Sequence, residues 1–350
     1  MATQLDGIEV FFGLDIENYN PSIGIQDSRK ALRITEVPIE PEKPVLKNKY
    51  TKPPEASLIS KTFLGISKMF GNTPSKETNQ KNEKAKHACF KDLFQDTKIH
   101  EIEALLVGCE DGGDVESLEE YISLIIENAS KFKSLKAIYT GDIDQEQSEI
   151  SWIVQFDHSN LLKAFPNLVE LRIKGGNSLS IGEMNMKKLK KLVILSGGLD
   201  NEIIKGLIHS QLPALEHLEL WLGTDEYGFF YSKNEIEELL NVYSNSNLKY
   251  LGLVNCDRQD EIIELIIENK IILQKLDKLD LSLGNMSDKG GALLLNCPEI
   301  QKLPMLEITH HYMSDEMVNS LKKINPSFII DDRNESDAED EDDRYVAVGE

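Results

Sequence analysis

Cysteine is scarce in this 350-residue sequence, and its four copies are too far apart for a disulfide framework. The sequence also lacks the C-x-x-C pair that is typical of structural zinc sites. No apolar run reaches the roughly 20 residues that span a bilayer, and the first ten residues lack the basic start and apolar stretch of a signal peptide. We therefore expect reduced thiols, a cytoplasmic location and no membrane segment.

Basic residues are in the minority. Lys and Arg number 38 against 60 Asp and Glu, which gives a formal net charge of -22 and disfavours nucleic acid as a partner. No G-x-S-x-G elbow, phosphate-binding glycine loop or H-E-x-x-H motif occurs. We expect a binding protein that uses no cofactor or metal and whose partner is a protein or peptide. The sequence leaves the oligomeric state open.

One apolar phrase recurs along most of the chain. It consists of an apolar residue, two others, a second apolar residue, one other and a third, and its starts lie 21 to 33 residues apart. This spacing is typical of leucine-rich repeats. The phrase occurs at Ile102-Leu105-Val107, Leu135-Ile138-Thr140, Leu168-Leu171-Ile173, Leu189-Leu192-Ile194, Leu215-Leu218-Leu220, Leu248-Leu251-Leu253, Leu276-Leu279-Leu281 and Leu303-Leu306-Ile308.

Helical patterns separate the phrases, for example at 117–128, 201–209 and 260–269. Ser232 and Glu235 have the spacing of a capping box. One strand and one helix cannot bury their own apolar faces, so the units must stack. The sequence predicts an α/β fold: a leucine-rich-repeat solenoid, or horseshoe, of about eight repeats with a concave parallel β-sheet and outer helices.

The sequence predicts four regions along the chain. Residues 1–35 supply cap strands, 36–90 form a lysine-rich mobile insertion with a short basic amphipathic helix at 59–70, and 91–330 are the solenoid. Residues 331–350 begin with nine acids in thirteen residues, which repel one another. The segment 344–348 after these acids is predicted to fold back as an edge strand.

Residues that alternate with the buried positions point to the concave face of the predicted sheet. Those on three neighbouring strands form an apolar patch of Val193, Leu195, Trp221, Tyr250 and Val254, and acids line up beside it. We predict that this face and the strand-end loops bind the partner, although Trp221 could instead cover a neighbouring loop. The predicted partner-binding residues are Tyr139, Arg172, Val193, Leu195, His217, Glu219, Trp221, Asp225, Glu226, Tyr227, Tyr250, Asp280, Glu307, His310, His311 and Tyr312.

Two other functions stay open. In one, the concave acids imitate the anionic substrate of a basic enzyme, and the protein is its inhibitor. In the other, the loop edge around Asp157, His158, His310 and His311 carries hydrolase or metal chemistry. Adjacent histidines on an extended chain point opposite ways, and sequence neighbours seldom make a triad, so this second alternative is the weaker one.

Several longer phrases carry a resemblance to one family. They are Glu149-Ile150-Ser151-Trp152-Ile153, Leu212-Pro213-Ala214-Leu215-Glu216-His217-Leu218-Glu219-Leu220-Trp221-Leu222-Gly223, Asp225-Glu226-Tyr227-Gly228, Leu279-Asp280-Leu281-Ser282-Leu283-Gly284, His310-His311-Tyr312-Met313-Ser314 and Arg344-Tyr345-Val346-Ala347-Val348-Gly349-Glu350. The chain resembles bacterial cytosolic leucine-rich-repeat proteins with ribonuclease-inhibitor-like repeats over residues 91–330 and the last seven positions. That resemblance implies a protein without an assigned activity, whose gene lies beside those for radical-SAM, ATP-grasp and hydrolase proteins of a peptide- or metabolite-modifying pathway. The insertion at 36–90 departs from the pattern.

Overall fold

The computed structural model describes residues 8–34, 90–108, 115–230, 232–335 and 344–349, and only the backbone of 115–117. These residues form an α/β protein with one open, twelve-stranded sheet. Strands lie in the sheet in the same order as in the chain. β1 and β2 are antiparallel, and the remaining neighbours among the described strands are parallel.

Every one of the eight apolar phrases contributes a strand. The second apolar residue of each phrase pairs in register with that of the next, as Leu171 does with Leu192 and Leu218 with Leu251. The strands are β1 Val10–Phe11, β2 Leu14–Asn18, β3 Ala31–Ile34, β4 Ala104–Val107, β5 Ala137–Thr140, β6 Glu170–Lys174, β7 Lys191–Leu195, β8 His217–Gly223, β9 Tyr250–Cys256, β10 Lys278–Asp280, β11 Met305–His311 and β12 Ile329–Arg333.

Helices follow most strands from β4 onward, and the three predicted helical stretches are confirmed to within two residues at each end. The α-helices are α1 Val115–Glu127, α2 Ser159–Ala164, α3 Asn201–His209, α4 Lys233–Ser244, α5 Gln259–Glu268, α6 Lys270–Leu273, α7 Asp288–Leu295 and α8 Asp315–Ile324.

The predicted capping box is wrong in its chemistry. Ser232 does precede α4, but its side chain makes no capping hydrogen bond. Glu235 instead lies 3.4 Å from Nζ of Lys205 on the preceding helix. This helix therefore begins at the expected residue because of its apolar face, which buries Ile236, Leu239 and Leu240.

The core lies between the sheet and the helices. The apolar phrase residues and the inward residues of the helices make one continuous cluster that runs the length of the sheet. Thr140 is the one polar residue in the phrases, and its Oγ1 lies 3.1 Å from Nε2 of the buried His158. We call the opposite side of the sheet, where the alternating residues lie, the helix-free face.

The N-terminal strands extend the sheet and also cover part of its helix-free face. Ile8 and Phe11 pack against Ala104, Leu106 and Tyr139 in a second apolar cluster. Tyr139 is 1% exposed. The prediction that it faces a partner is therefore wrong, because the N-terminal residues already cover it.

The opposite end of the sheet is formed by β12. The first acids after residue 330 belong to this strand and are paired with β11. The insertion at 36–90, except residue 90, and the acidic residues 336–343 lie outside the described residues, and so does the predicted helix at 59–70. Within the described ranges, each helix is too short or too polar to cross a lipid bilayer.

The chain turns sharply where the parallel strands end. Positive φ angles occur there at Gly223 (76°), Asn255 (54°), Leu283 (67°) and His310 (58°). At Gly223 a Cβ atom would lie 1.9 Å from the carbonyl oxygen of Gly197, so no larger residue fits. These turns bring the loops that follow the strands to one edge of the sheet.

Candidate functional site

An extended segment crosses the carboxyl ends of the parallel strands. Residues 344–349 contain neither helix nor strand. Tyr345 lies at the end of β11 and Ala347 at the end of β10. Val348 lies at the end of β9, and Gly349 reaches the end of β7. The segment does fold back, as predicted, but the prediction of an edge strand is wrong because it runs across the strands rather than along one.

Asn255 binds the backbone of Val348 at two atoms. Its Oδ1 accepts the N–H of Val348 at 3.0 Å, and its Nδ2 donates to the carbonyl of Val348 at 2.7 Å. Asn255 is fully buried and has the left-handed conformation that Asn tolerates better than most residues. Because both bonds go to the backbone, this contact fixes an extended peptide whatever its side chain.

Two of the predicted loop residues contact the same segment. Nε2 of His310 donates to the carbonyl of Tyr345 at 3.0 Å, and the hydroxyl oxygen of Tyr312 accepts the N–H of Tyr345 at 3.1 Å. His311 is buried, its Nδ1 accepts the N–H of Met313, and burial lowers its pKa to about 4. The adjacent histidines thus point opposite ways, as expected, and only His310 belongs to the site.

Further bonds hold the other end of the segment. The N–H of Ala347 donates to the carbonyl of Leu283 at 2.8 Å. Oγ of Ser151 donates to the carbonyl of Gly349 at 3.3 Å. Ser151 belongs to the loop after β5, so the segment contacts loops from widely separated parts of the chain.

The apolar patch lies directly beneath this segment. Ile150 and Leu283 lie beside it and Val348 packs onto it. We call this arrangement the strand-end groove: its floor is Val193, Leu195, Trp221 and Val254, its sides are Ile150 and Leu283, and its occupant is the segment 344–349.

The predicted exposed docking patch is wrong. Trp221 is 1% exposed, and the other floor residues are fully buried. The physical reason is that the loop carrying Ile150 and the segment carrying Val348 cover them. The alternative that Trp221 covers a neighbouring loop is closer to the structure. Tyr250 was assigned to this patch but lies outside it.

A second set of residues lies on the helix-free face, farther from the strand ends. The register of β8 to β11 puts Glu219, Asp280 and Glu307 on one line across the sheet, as predicted. All three are at most 1% exposed. We call this set the polar cluster; it comprises His217, Glu219, Tyr250, Lys278, Asp280 and Glu307.

The carboxylates of the polar cluster accept hydrogen bonds from groups of the same chain. Oε1 of Glu219 accepts the indole N–H of Trp221 at 2.9 Å. Asp280 accepts the hydroxyl of Tyr250 at 2.9 Å and the backbone N–H of Ser282 at 3.1 Å. Since these carboxylates bond to their own chain, they do not form the open acidic surface that an inhibitor of a basic enzyme requires.

Lys278 supplies the positive charge of the polar cluster. Its Nζ lies 2.5 Å from Oε2 of Glu307 and 3.4 Å from Oδ2 of Asp280. Burial, the largest single influence, acts to raise the pKa of Glu307, but the hydrogen bond from Lys278 and the nearby positive charges together outweigh it, and the pKa is lowered. Burial, with the charges of Glu219 and Asp280, raises the pKa of Tyr250, so its phenol stays protonated.

Aromatic stacking completes the polar cluster and orders the neighbouring strands. The rings of His217 and Tyr250 are stacked with centroids 3.8 Å apart. Nearer the first strands, the guanidinium of Arg172 lies 4.6 Å from the ring centroid of Tyr139. Arg172 is 7% exposed, so this predicted contact residue is also largely covered.

The loop after β8 is the most accessible of the predicted contact regions. Asp225 and Glu226 are exposed, and Tyr227 is half-buried against Gly198. Three other aromatic side chains are also exposed: Trp152 at 64%, Phe230 at 65% and Tyr345 at 69%. None of the three was predicted as a contact residue; Trp152 follows Ser151 in sequence, and Tyr345 belongs to the segment 344–349.

The Asp157-His158-Ser159 sequence has a structural role. Nε2 of His158 lies 3.1 Å from Oγ1 of Thr140, and its Nδ1 lies 3.0 Å from the carbonyl of Phe156. Asp157 accepts the backbone N–H of Ser159 and does not orient the imidazole. Within the described ranges, no group of three His, Cys, Asp or Glu side chains could hold a metal.

Acid should weaken the fold through His158. Burial lowers the pKa of His158 to about 4, below its ordinary 6.5, so the fold favours the neutral ring. The neutral ring contributes its full stabilisation above pH 6.5. This stabilisation is lost as the pH falls towards 4, and about 2 kcal/mol of it has been lost at pH 5. In urea titrations between pH 7 and 4, His158→Asn should flatten this pH dependence. The exposed His209→Asn is the control, and equal slopes in all three proteins would contradict the assignment.

Sequence reasoning missed the residues that bind the occupant most directly. Asn255, Ser151 and Leu283 were not singled out as contacts, although Ser151 and Leu283 belong to phrases that resemble a family. The available signal for Asn255 was its position just after an apolar phrase, where the chain must turn. Its partner Val348 is 93 residues away in sequence, so nothing local reveals the pairing.

The fold and the groove define an α/β protein with a nearly all-parallel sheet that holds an extended peptide segment at its strand ends. The chain belongs to the family of a Bacteroides fragilis protein whose crystal structure was determined by the Northeast Structural Genomics Consortium. The two are 33% identical, the match covers 75% of this chain and 73% of that one, and the TM-score is 0.66. No family model matches the sequence. No curated protein matches it.

Proposed function

We propose that the chain is a leucine-rich-repeat solenoid with ribonuclease-inhibitor-like units and that it binds a protein or peptide partner without catalysis. Eight apolar phrases that pair in register, each leading into a turn at the same edge of the sheet, support the repeat assignment. The polar side chains at this edge bond to backbone atoms and to one another, which suits binding rather than a reaction.

One observation carries the binding proposal. The strand-end groove holds an extended peptide, because Asn255 takes both backbone groups of Val348 while Val348 packs on the apolar floor. Backbone bonds supply affinity for any extended chain, and a pocket for an alternate side chain supplies selectivity. Exposed aromatics such as Trp152 and Phe230 are the residue types that anchor partners at interfaces.

The partner is proposed to be a protein or peptide from the modifying pathway that the family resemblance implies. The groove and the exposed loop Asp225–Tyr227 are its contact surface, with His310 and Tyr312 at one end. The buried members of the original prediction, above all Trp221 and Glu219, support this surface from below.

A peptide-display selection tests the proposal. Random extended hexapeptides selected on the full chain should yield binders whose affinity falls at least tenfold in Asn255→Gly. Glycine accepts the positive φ of this position, so the variant loses the amide without added backbone strain. Asn247→Gly, which removes an exposed amide bonded to Pro213, is the matched control. Selected peptides that bind both variants equally, or no enrichment, would refute the proposed function.

A further inference from the structure

We propose that the segment 344–349 is an internal occupant of the strand-end groove and that a partner's extended peptide of the same chemistry binds in its place. This inference rests on the proposed function and adds the class of ligand and its regulation. The ligand is an extended peptide with a small aliphatic side chain where Val348 now lies. An uncharged residue is required at that position because the floor beneath it consists of hydrocarbon and one indole.

The occupant is bound as a ligand is bound, and not as part of the sheet. Its described backbone hydrogen bonds go to side chains or to a loop carbonyl, and its residues form no β-ladder with a neighbouring strand. Each such bond contributes little net stability, because its donor and acceptor can exchange it for bonds to water. Segments held in this way are among the first to open locally, whereas the strands beneath them open with the core.

The segment is joined to β12 by a strongly acidic stretch of chain. Arg344 lies 4.0 Å from Asp260 and is the segment's one basic residue. The chain that joins it to β12 carries seven carboxylates in residues 334–343. Released, the segment stays tethered to the protein, so it competes with an outside peptide at an effective concentration on the order of 1 mM.

If the segment competes with an outside peptide, weakening its binding to the groove should raise the affinity of the protein for that peptide. The probe is a fluorescein-labelled peptide with the sequence of residues 344–349, and the protein is the full chain. Val348→Asp puts a charge over the apolar floor and should raise the affinity for the probe at least tenfold, since the tether no longer competes. Ala347→Pro removes the N–H that bonds to Leu283 and should act in the same direction.

Controls separate this inference from the proposed function. Val242→Asp places the same charge on an exposed valine of α4 and should leave probe affinity unchanged. The increase in probe affinity caused by Val348→Asp should be abolished when Asn255→Gly is added to it. If the wild type binds the probe and neither Val348→Asp nor Ala347→Pro binds it more tightly, the internal-occupant inference is overturned while peptide binding stands. If none of these proteins binds the probe or a selected peptide, both proposals are overturned.

Discussion

Trp221→Ala is expected to lower the free energy of unfolding by about 3–5 kcal/mol, the usual cost of truncating a fully buried large aromatic residue. The indole is 1% exposed between Val193, Val254 and the covering Val348. Its N–H also donates to the buried Glu219, which loses a partner in the variant. Urea titration followed by far-UV circular dichroism would measure the loss.

The second tryptophan of the chain provides the control for this experiment. Trp152 is 64% exposed in the loop next to Ser151, and Trp152→Ala should change stability by less than about 0.5 kcal/mol. Trp221→Phe should fall between the two, because it keeps most of the apolar area and loses the hydrogen bond. Equal stability of Trp221→Ala and the wild type would show that the indole is not part of the core.

Lys278→Met is expected to destabilise the protein by about 3 kcal/mol at pH 7. The substitution keeps most of the length of the side chain but removes the charge that lies between Asp280 and Glu307. Breaking a buried ion pair at one partner typically costs about 3–5 kcal/mol. We expect the lower end of that range, because 21% of the Lys278 side chain is exposed and solvent screens the pair in part.

The effect of Lys278→Met should depend on pH with a definite sign. Burial, the largest single influence, opposes the positive charge of Lys278, but the hydrogen bond to Glu307 and the charges of Asp280 and Glu307 together outweigh it and raise the pKa of Lys278 above 10.5, while the pKa of Glu307 is lowered below 4.5. The pair therefore contributes between about pH 4.5 and 10.5, and the difference between variant and wild type should vanish as the pH falls below that window. Lys190→Met, which breaks a largely exposed pair with Glu216, is the control and should cost less than about 1 kcal/mol throughout. A deficit in Lys278→Met that stays constant from pH 7 down to the acid-unfolding transition would rule out the electrostatic explanation.

Periodicity was sufficient to predict the sheet. Residues such as Leu171, Leu192 and Leu218 are spaced so that a strand can bury them, and stacking the strands aligns them in register. The capping interaction of Ser232 could not be predicted, because a competing contact between Glu235 and Lys205 depends on how two helices pack. Local pattern predicts elements, whereas the packing of elements decides which polar groups meet.

The candidate site was predicted only in part, for a related reason. Alternation identified Trp221 and Val254 as neighbours on the helix-free face, and the structure confirms that they meet. The solvent exposure of a sheet face depends on what packs over it. Here Ile150 and Val348 pack over it, and both are distant in sequence from β8 and β9, which carry Trp221 and Val254. His310 and Tyr312 were identified from their position after β11, but their contact with Tyr345 depends on the fold of the last segment.

The path of the segment 344–349 affects how the protein unfolds. A strand in this sheet touches only the strands beside it, so in the absence of other links one end can fray while the other stays intact. The segment 344–349 contacts the ends of β7, β9, β10 and β11, so we expect this part of the sheet to unfold as one cooperative unit. If a separate peptide replaced the segment, the ends of the same strands would still be joined, but the joining peptide would no longer be covalently connected to β12, which stays attached to β11 through residues 312–328.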